Sequence, residues 1–214
     1  MPTPRMFIVA GPPGAGKSSS FLLSDYADRV FNGDDRAAQL NDGSYENIPL
    51  SVRAIVNREF EGFVHENIRA GTSFALETTL RSTITYEQAK LAKENGFRVF
   101  MRYVALDTVE RHIERVKRRA ARGGHSASES TLRRIHASSM ANLPLALVPA
   151  KSGIEITRIY DNSRRRPELV LEARQGRIVR LADEFPGWLQ AALGWTEQVL
   201  DRHRKQLARD RQER

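Results

Sequence analysis

Phe7-Ile-Val-Ala10-Gly11-Pro12-Pro13-Gly14-Ala15-Gly16-Lys17-Ser18 is the stretch that decides the fold. A short, β-rich apolar run breaks at once into glycine and proline, and residues 11–18 meet G-x-x-x-x-G-K-[ST] at every required position. The chemistry needs these residue types. Gly14 and Gly16 let the backbone turn tightly enough for successive N–H groups to converge on phosphate oxygens. A helix opening near Lys17 adds its positive end. Lys17 is then placed for the β- and γ-phosphates, and the Ser18 hydroxyl for Mg²⁺. A mere Gly-Pro turn with an exposed lysine leaves the flanking strand and helix unexplained. The stretch predicts a site for a nucleoside triphosphate.

Outward from this loop, strands are expected at residues 7–10, 30–31, 73–76, 97–106 and 155–160. Helices are expected at 18–25, 50–70 (stopped by Gly71), 84–94 and 128–147. A long basic helix opens at Asp107, read as its N-cap in a capping box with Glu110. Residues 169–173 and 178–181 flank Arg174-Gln175-Gly176-Arg177, a hairpin signal. The remainder reads as helix, almost wholly polar past Val199, and is expected to fray. Strands alternating with helices argue for an α/β, three-layer P-loop NTPase fold, its mostly parallel sheet covered on both faces. One domain is expected: a core over 1–185 with an arginine-rich helical lid at about 108–147, and 186–214 as its C-terminal helical extension.

The chain has 214 residues, 40% hydrophobic and 28% charged, which is an ordinary globular composition. It contains no cysteine, which excludes a disulfide scaffold and every cysteine-ligated zinc or iron–sulfur site. No run suits a signal peptide or a membrane span, so a cytoplasmic protein is expected. The net charge of +8 fits a nucleic-acid binder, and equally an enzyme of polyphosphate substrates. The five histidines show no metal-ligand spacing, and only His125 suggests a role, as a lid contact. Trp188 and Trp195 read as packing anchors.

Ligands of open α/β sheets sit at the carboxyl edge, where Asn32-Gly33-Asp34, Glu77-Thr78-Thr79 and Asp161-Asn162 fall. No run of four apolar residues before an aspartate is obvious; the best formal match ends at Asp107, more simply a helix cap. A motor or a GTPase switch therefore lacks its usual parts. Phosphoryl transfer to a hydroxyl needs one carboxylate base beside the γ-phosphate, and Asp34 is the candidate. The bland alternative makes Asp34 and Asp35 caps of a short helix. Arg111, Arg115, Arg119 and Arg122 align along one helix face and repel one another, so an anion is expected opposite them. A solvated face is the ordinary reading. The break at Gly123-Gly124-His125, before a second helix with Arg133 and Arg134, favours a mobile lid.

Taken together, these motifs resemble the zeta-toxin family of P-loop kinases, especially its short bacterial members. The matching residues are Ala10–Ser18, Phe31-Asn32-Gly33-Asp34, Phe74-Ala-Leu-Glu77-Thr78-Thr79-Leu80, Arg115-Val-Lys-Arg-Arg119 with Gly123-Gly124-His125, and Tyr160-Asp161-Asn162-Ser163. The resemblance implies an ATP- and Mg²⁺-dependent kinase of UDP-N-acetylglucosamine, acting on the 3′-hydroxyl of the amino sugar and held in check in several members by a small antitoxin. It implies ATP contacts from Gly11, Pro12, Pro13, Gly14, Ala15, Gly16, Lys17, Ser18, Ser19 and Asn162, with Ser18 toward the metal. It implies Asp34 as base, Lys17, Arg115 and Arg119 (or Arg122) on the transferring group, and Asn32, Glu77, Thr78 and Arg81 at the sugar substrate or the metal's water shell. The substrate loop at 41–49 is where short members diverge. Two rivals remain: a polynucleotide 5′-hydroxyl kinase, suggested by Asn32-Gly-Asp-Asp-Arg36 and the net charge, and a nucleotide-sensing interaction module. Nucleic acid is the less favoured partner, and no membrane is expected.

Overall fold

The computed structural model describes residues 2–44, 47–122 and 127–212. The elements run β1 (Arg5–Ala10), α1 (Lys17–Ser20), a 3₁₀ turn (Leu23–Asp25), β2 (Arg29–Asn32), α2 (Gly33–Gln39), α3 (Leu50–Ala70), β3 (Phe74–Thr78) and α4 (Ile84–Glu94). They continue with β4 (Arg98–Ala105), α5 (Val109–Ala120), α6 (Glu129–Asn142), a 3₁₀ segment (Leu143–Leu147) and α7 (Pro149–Ser152). The last are β5 (Ile156–Asp161), β6 (Glu168–Arg174), β7 (Arg177–Leu181), α8 (Gly187–Leu193) and α9 (Glu197–Gln212).

One seven-stranded sheet has the order β2-β3-β1-β4-β5-β6-β7. The first five strands are parallel. β6 and β7 join antiparallel, through a turn in which Gln175 (φ 50) and Gly176 (φ 77) are both left-handed. The chain leaves β1 for the outer strand β2, returns to β3, then crosses to β4. The strand order thus reverses around β1, which puts the loop after it at the switch point where ligands of such sheets bind.

One face of the sheet is thickly covered. Met6, Ile8 and Ala10 of β1 alternate inward with Phe74 and Leu76 of β3 and with Val99, Met101, Tyr103 and Ala105 of β4. Val64 and Ile68 of α3 and Tyr86, Ala89 and Ala92 of α4 pack on them. The long α3 stops as its sequence requires, at Gly71 in the left-handed region (φ 62).

The other face is thin. The expected helix over 18–25 is a single α turn followed by the 3₁₀ turn, because three consecutive serines hold little helical bias and Phe21 leaves helical geometry to bury its ring. Side chains complete this layer. Phe7 stacks between Tyr26 and Phe100, and the Arg98 guanidinium covers Phe100 at 5.2 Å. Arg102 lies over Phe21, Tyr26 and Tyr160 at 4.8–5.9 Å. Arg158 and Arg174 share the Glu172 carboxylate beside them.

Two local expectations are corrected. The cap of α5 is Thr108, whose hydroxyl accepts from Arg111 N, whereas Asp107 pairs with the Arg111 side chain at 2.8 Å. The polar C-terminal segment is docked: Leu200 is buried, Leu207 packs against the main core, and Asp210 pairs with Arg177 of β7 at 2.7 Å. The seven-residue spacing of Leu200 and Leu207 gives this otherwise polar helix one apolar stripe. Truncating Leu200 to alanine is therefore expected to destabilise the protein by about 2–4 kcal/mol in urea unfolding. A frayed helix would give no change.

Candidate active site

The loop between β1 and α1 is held by the strands on both sides. Gly11 N donates to Thr78 O of β3 at 3.2 Å. Gly14 (φ 75) and Gly16 (φ 88) are left-handed, and both have close neighbours. A Cβ on Gly14 would meet His112 O at 2.3 Å, and one on Gly16 would meet Asn162 Nδ2 at 2.5 Å. Lys17 is buried, and its ammonium donates to Gly11 O at 2.9 Å and Pro12 O at 3.3 Å. It also lies 3.5 Å from Glu77 Oε1, while the Ser18 hydroxyl donates to Glu77 Oε2 at 2.7 Å. Ser19 turns back to Gly16 O.

Glu77 closes the apolar run Phe74-Ala75-Leu76 on β3, the strand beside β1. Hydroxyl and carboxylate oxygens 2.7 Å apart are a hard donor pair that suits Mg²⁺. Among the described residues no group of three or more His, Asp or Glu forms a metal cage.

On the other side of the loop stand α5 and the end of β5. The buried His112 ring accepts from Leu106 N at Nε2 (3.0 Å) and faces Pro13 O through Nδ1 (2.9 Å). A backbone N–H can only donate, so Nδ1 carries the proton and donates to Pro13. Burial, reinforced by His136, Lys17 and Arg115, lowers the His112 pKa to about 3 against the pull of the Pro13 carbonyl. Asn162 Nδ2 donates to Ala15 O at 2.8 Å, and Asn162 O accepts from Arg115 at 3.0 Å. Asp161 is spent on Ser163 N and on the indole N–H of Trp188.

The acceptor side is formed by the ends of β2 and β3, where Asn32 and Glu77 stand in register. Asn32 is the N-cap of α2 and accepts from Asp34 N at 3.1 Å, so Asp34 sits in the first turn, half-buried, without being the cap. Thr78 accepts from Leu80 N and from the Thr85 hydroxyl. Leu80 is fully buried in a left-handed conformation (φ 56), and its carbonyl accepts from Asn142 of α6, itself held by Tyr86. Arg81 is exposed beside it.

The structure thus brings Gly11–Ser19, Glu77, Arg115 and Asn162 into one contact network, with Thr78 at the end of β3 and Asp34 in the first turn of α2 beside it. Arg119 lies further along α5 and Arg122 just past its end, both exposed and without an ion pair among the described residues. The rest of that basic surface is largely answered by its own carboxylates: Arg111 by Asp107, Lys117 by Glu129, Arg118 by Glu114, Arg133 by Glu110 and Glu129. Gly123-Gly124-His125 lies outside the described residues, as do Tyr45 and Glu46 of the substrate loop. His112 was missed in the sequence, where it is one polar residue in a strongly basic helix; its tie to the loop spans 99 residues.

The His112 pKa has a stability consequence. Above pH 6.5 folded and unfolded chains both carry a neutral ring, and its contribution is complete. Between 6.5 and about 3 only the unfolded chain binds the proton, so stability falls as pH falls. Wild type is expected to lose on the order of 3–5 kcal/mol from this group over that range in urea unfolding. His112→Asn, which has nothing to titrate there, should show a correspondingly flatter acid limb. Equal slopes would contradict the buried neutral ring.

No family model matches the chain. An uncharacterized protein of Haemophilus influenzae is 31% identical over 130 residues, which is 60% of this chain and 90% of that protein. Among solved structures, the PezAT chromosomal toxin–antitoxin system of Streptococcus pneumoniae aligns with a TM-score of 0.61 at 16% identity, over 98% of this chain and 88% of its own. The AvrRxo1-ORF1:-ORF2 structure with ATP gives 0.62 at 14%, over 85% and 61%. A chain of the Pnkp1/Rnl/Hen1 RNA repair complex gives 0.53 at 17%, over 66% and 45%. At such identities these likenesses concern the fold. The chain carries the α/β P-loop fold and belongs to one family with its Haemophilus influenzae relative.

Proposed function

We propose that the chain is an ATP- and Mg²⁺-dependent kinase that transfers the γ-phosphoryl group to a hydroxyl of a nucleotide sugar such as UDP-N-acetylglucosamine. One observation carries the reading: Glu77 gathers both Lys17 and Ser18 at 3.5 and 2.7 Å, while Asp34 opens a helix at the end of the next strand. Strand spacing puts Asp34 about 10 Å across the edge from the loop, room for a γ-phosphate and an incoming hydroxyl between them. The resemblance to zeta-toxin kinases supports the nucleotide sugar.

In this reading ATP lies along Gly11–Ser19, and Lys17 leaves the Gly11 and Pro12 carbonyls for the β- and γ-phosphate oxygens. Ser18, with Glu77 behind it, would hold Mg²⁺, which supplies positive charge at those oxygens. Asp34 accepts the acceptor's hydroxyl proton as its oxygen bonds to the γ-phosphorus and the bond to the β-phosphate oxygen breaks. Arg115, with Arg119 or Arg122 from the lid at 108–147, answers the charge on the transferring group. Asn32, Glu77, Thr78 and Arg81 border the acceptor, and Asn162 adjoins the nucleotide. Residues 1–185 then form the kinase core and 186–214 its helical extension. A small antitoxin is the proposed protein partner, supported by the toxin–antitoxin setting of the PezAT structure. The use of ATP supports a cytoplasmic site of action.

The RNA-repair neighbour and the Asn32-Gly-Asp-Asp-Arg36 segment favour a second reading, a polynucleotide 5′-hydroxyl kinase. Against it, Arg36 is committed to Glu59 by two hydrogen bonds of 2.6 and 2.8 Å.

Incubation with labelled ATP and either nucleotide sugars or 5′-hydroxyl oligonucleotides separates the two readings, and label on the sugar is expected. Lys17→Ala should slow transfer about a hundred-fold or more. Asp34→Asn should leave the melting temperature nearly unchanged, because Asn32 remains the cap, yet lower transfer about a hundred-fold or more. Normal transfer by folded Asp34→Asn would move the role of base to Asp35.

A further inference from the structure

The loop has an unequal supply of donors. The peptide after Gly11 ends at the nitrogen of Pro12 and the peptide after Pro12 at that of Pro13, so neither offers an N–H. Their carbonyls are the ones that Lys17 occupies. Ala15 N is also spent, on Pro12 O at 3.2 Å. Gly14 N and Gly16 N remain, and neither donates to a described residue.

Both of these amides belong to peptide planes whose carbonyl is held from outside the loop. Pro13 O, in the plane that ends at Gly14 N, accepts from His112 Nδ1 at 2.9 Å. Ala15 O, in the plane that ends at Gly16 N, accepts from Asn162 Nδ2 at 2.8 Å. Among the described residues no peptide bond is cis. In a trans peptide the C=O and N–H point in opposite directions, so fixing one aims the other. His112 is steadied in turn by Leu106 N, and Asn162 by Arg115.

We infer that His112 and Asn162 are positioning residues for phosphate: each holds one carbonyl of the loop outward and thereby turns the Gly14 or Gly16 N–H toward the anion. Neither touches the phosphate itself. This rests on reading the loop as a nucleotide site, and it changes what Asn162 does there, from a contact of the nucleotide to a support of the loop. It also gives the close approach at Gly14 and Gly16 a purpose, since side chains there would push away α5 and Asn162.

Calorimetry with AMP, ADP and MgATP tests it without an acceptor. His112→Gln puts an amide where Nε2 was, keeping a partner for Leu106 N while losing the donor to Pro13 O. His112→Asn puts an amide N–H where Nδ1–H was. Asn162→Ala removes the second support and leaves the backbone bonds of residue 162. Expected are losses of tenfold or more in ADP and MgATP affinity for His112→Gln and Asn162→Ala, substantial rescue in His112→Asn, and little change for AMP, which lacks a β-phosphate. Wild-type affinity in all three variants would overturn the inference, as would losses that follow melting temperature alone or fall equally on AMP. Wild-type protein that binds none of the nucleotides would overturn the reading of the site itself.

Discussion

A loop that receives an anion must keep some of its own N–H groups unpaired, although a buried, unpaired amide is something folded proteins otherwise avoid. That constraint organises the protein around residues 11–18. β1 is central, so β3 holds the loop on one side through Gly11 N and Glu77, and the β4–α5 and β5 ends hold it on the other through His112 and Asn162. Proline at 12 and 13 removes two donors outright, and Lys17 in this state uses the carbonyls left behind. The carbonyls of residues 11, 12, 13, 15 and 16 thus find partners away from the cradle while donors are kept for it. The order of strands matters because only a central strand has neighbours on both sides to supply these partners.

The acceptor edge is built differently. Its backbone is held by side chains at a cost in strain. Leu80 in the left-handed region costs roughly 1–2 kcal/mol, offset by complete burial of its side chain, by the bond its N–H donates to Thr78 and by the one its carbonyl accepts from Asn142. Asn142 ends α6, and α6 packs through Leu132 on Ile113 and Val116 of α5. The segment after Glu77 and the arginine-bearing helices are therefore parts of one mechanical unit, joined by an apolar contact at one end and a hydrogen bond at the other.

Much of the fold could be read from local signals. The glycine-rich loop, α3 with its left-handed stop, and the Gln175-Gly176 hairpin all follow from residues within a few positions of one another. What escaped depends on distant partners. The one-turn length of α1 reflects Phe21 burying its ring against Tyr160, and the docked α9 reflects two leucines and one aspartate finding the sheet. Asp107 and Thr108 are both good caps; only the backbone angles at Thr108 decide between them. Glu77 was legible as a polar strand end, but its hold on Lys17 and Ser18 needs the β1–β3 pairing. Asn162 was legible as a polar strand end beside the nucleotide, but not its hold on Ala15 O; His112 offered no local signal, because its partner is a carbonyl of the loop far away in the chain.

The thin face of the sheet carries a different lesson. Over β4 and β5 the layer that a helix would supply is made by the stems and planar heads of Arg98, Arg102 and Arg158, lying on aromatic rings and on Glu172. Such arginines are half in water, yet removing one strips apolar surface and unroofs a parallel sheet beneath it. Positions that look like ordinary charged surface here answer to the rules of an interior. A lysine at Arg102 would keep the charge and still lose the flat cover, so tolerance to substitution on this face will be set by shape before sign.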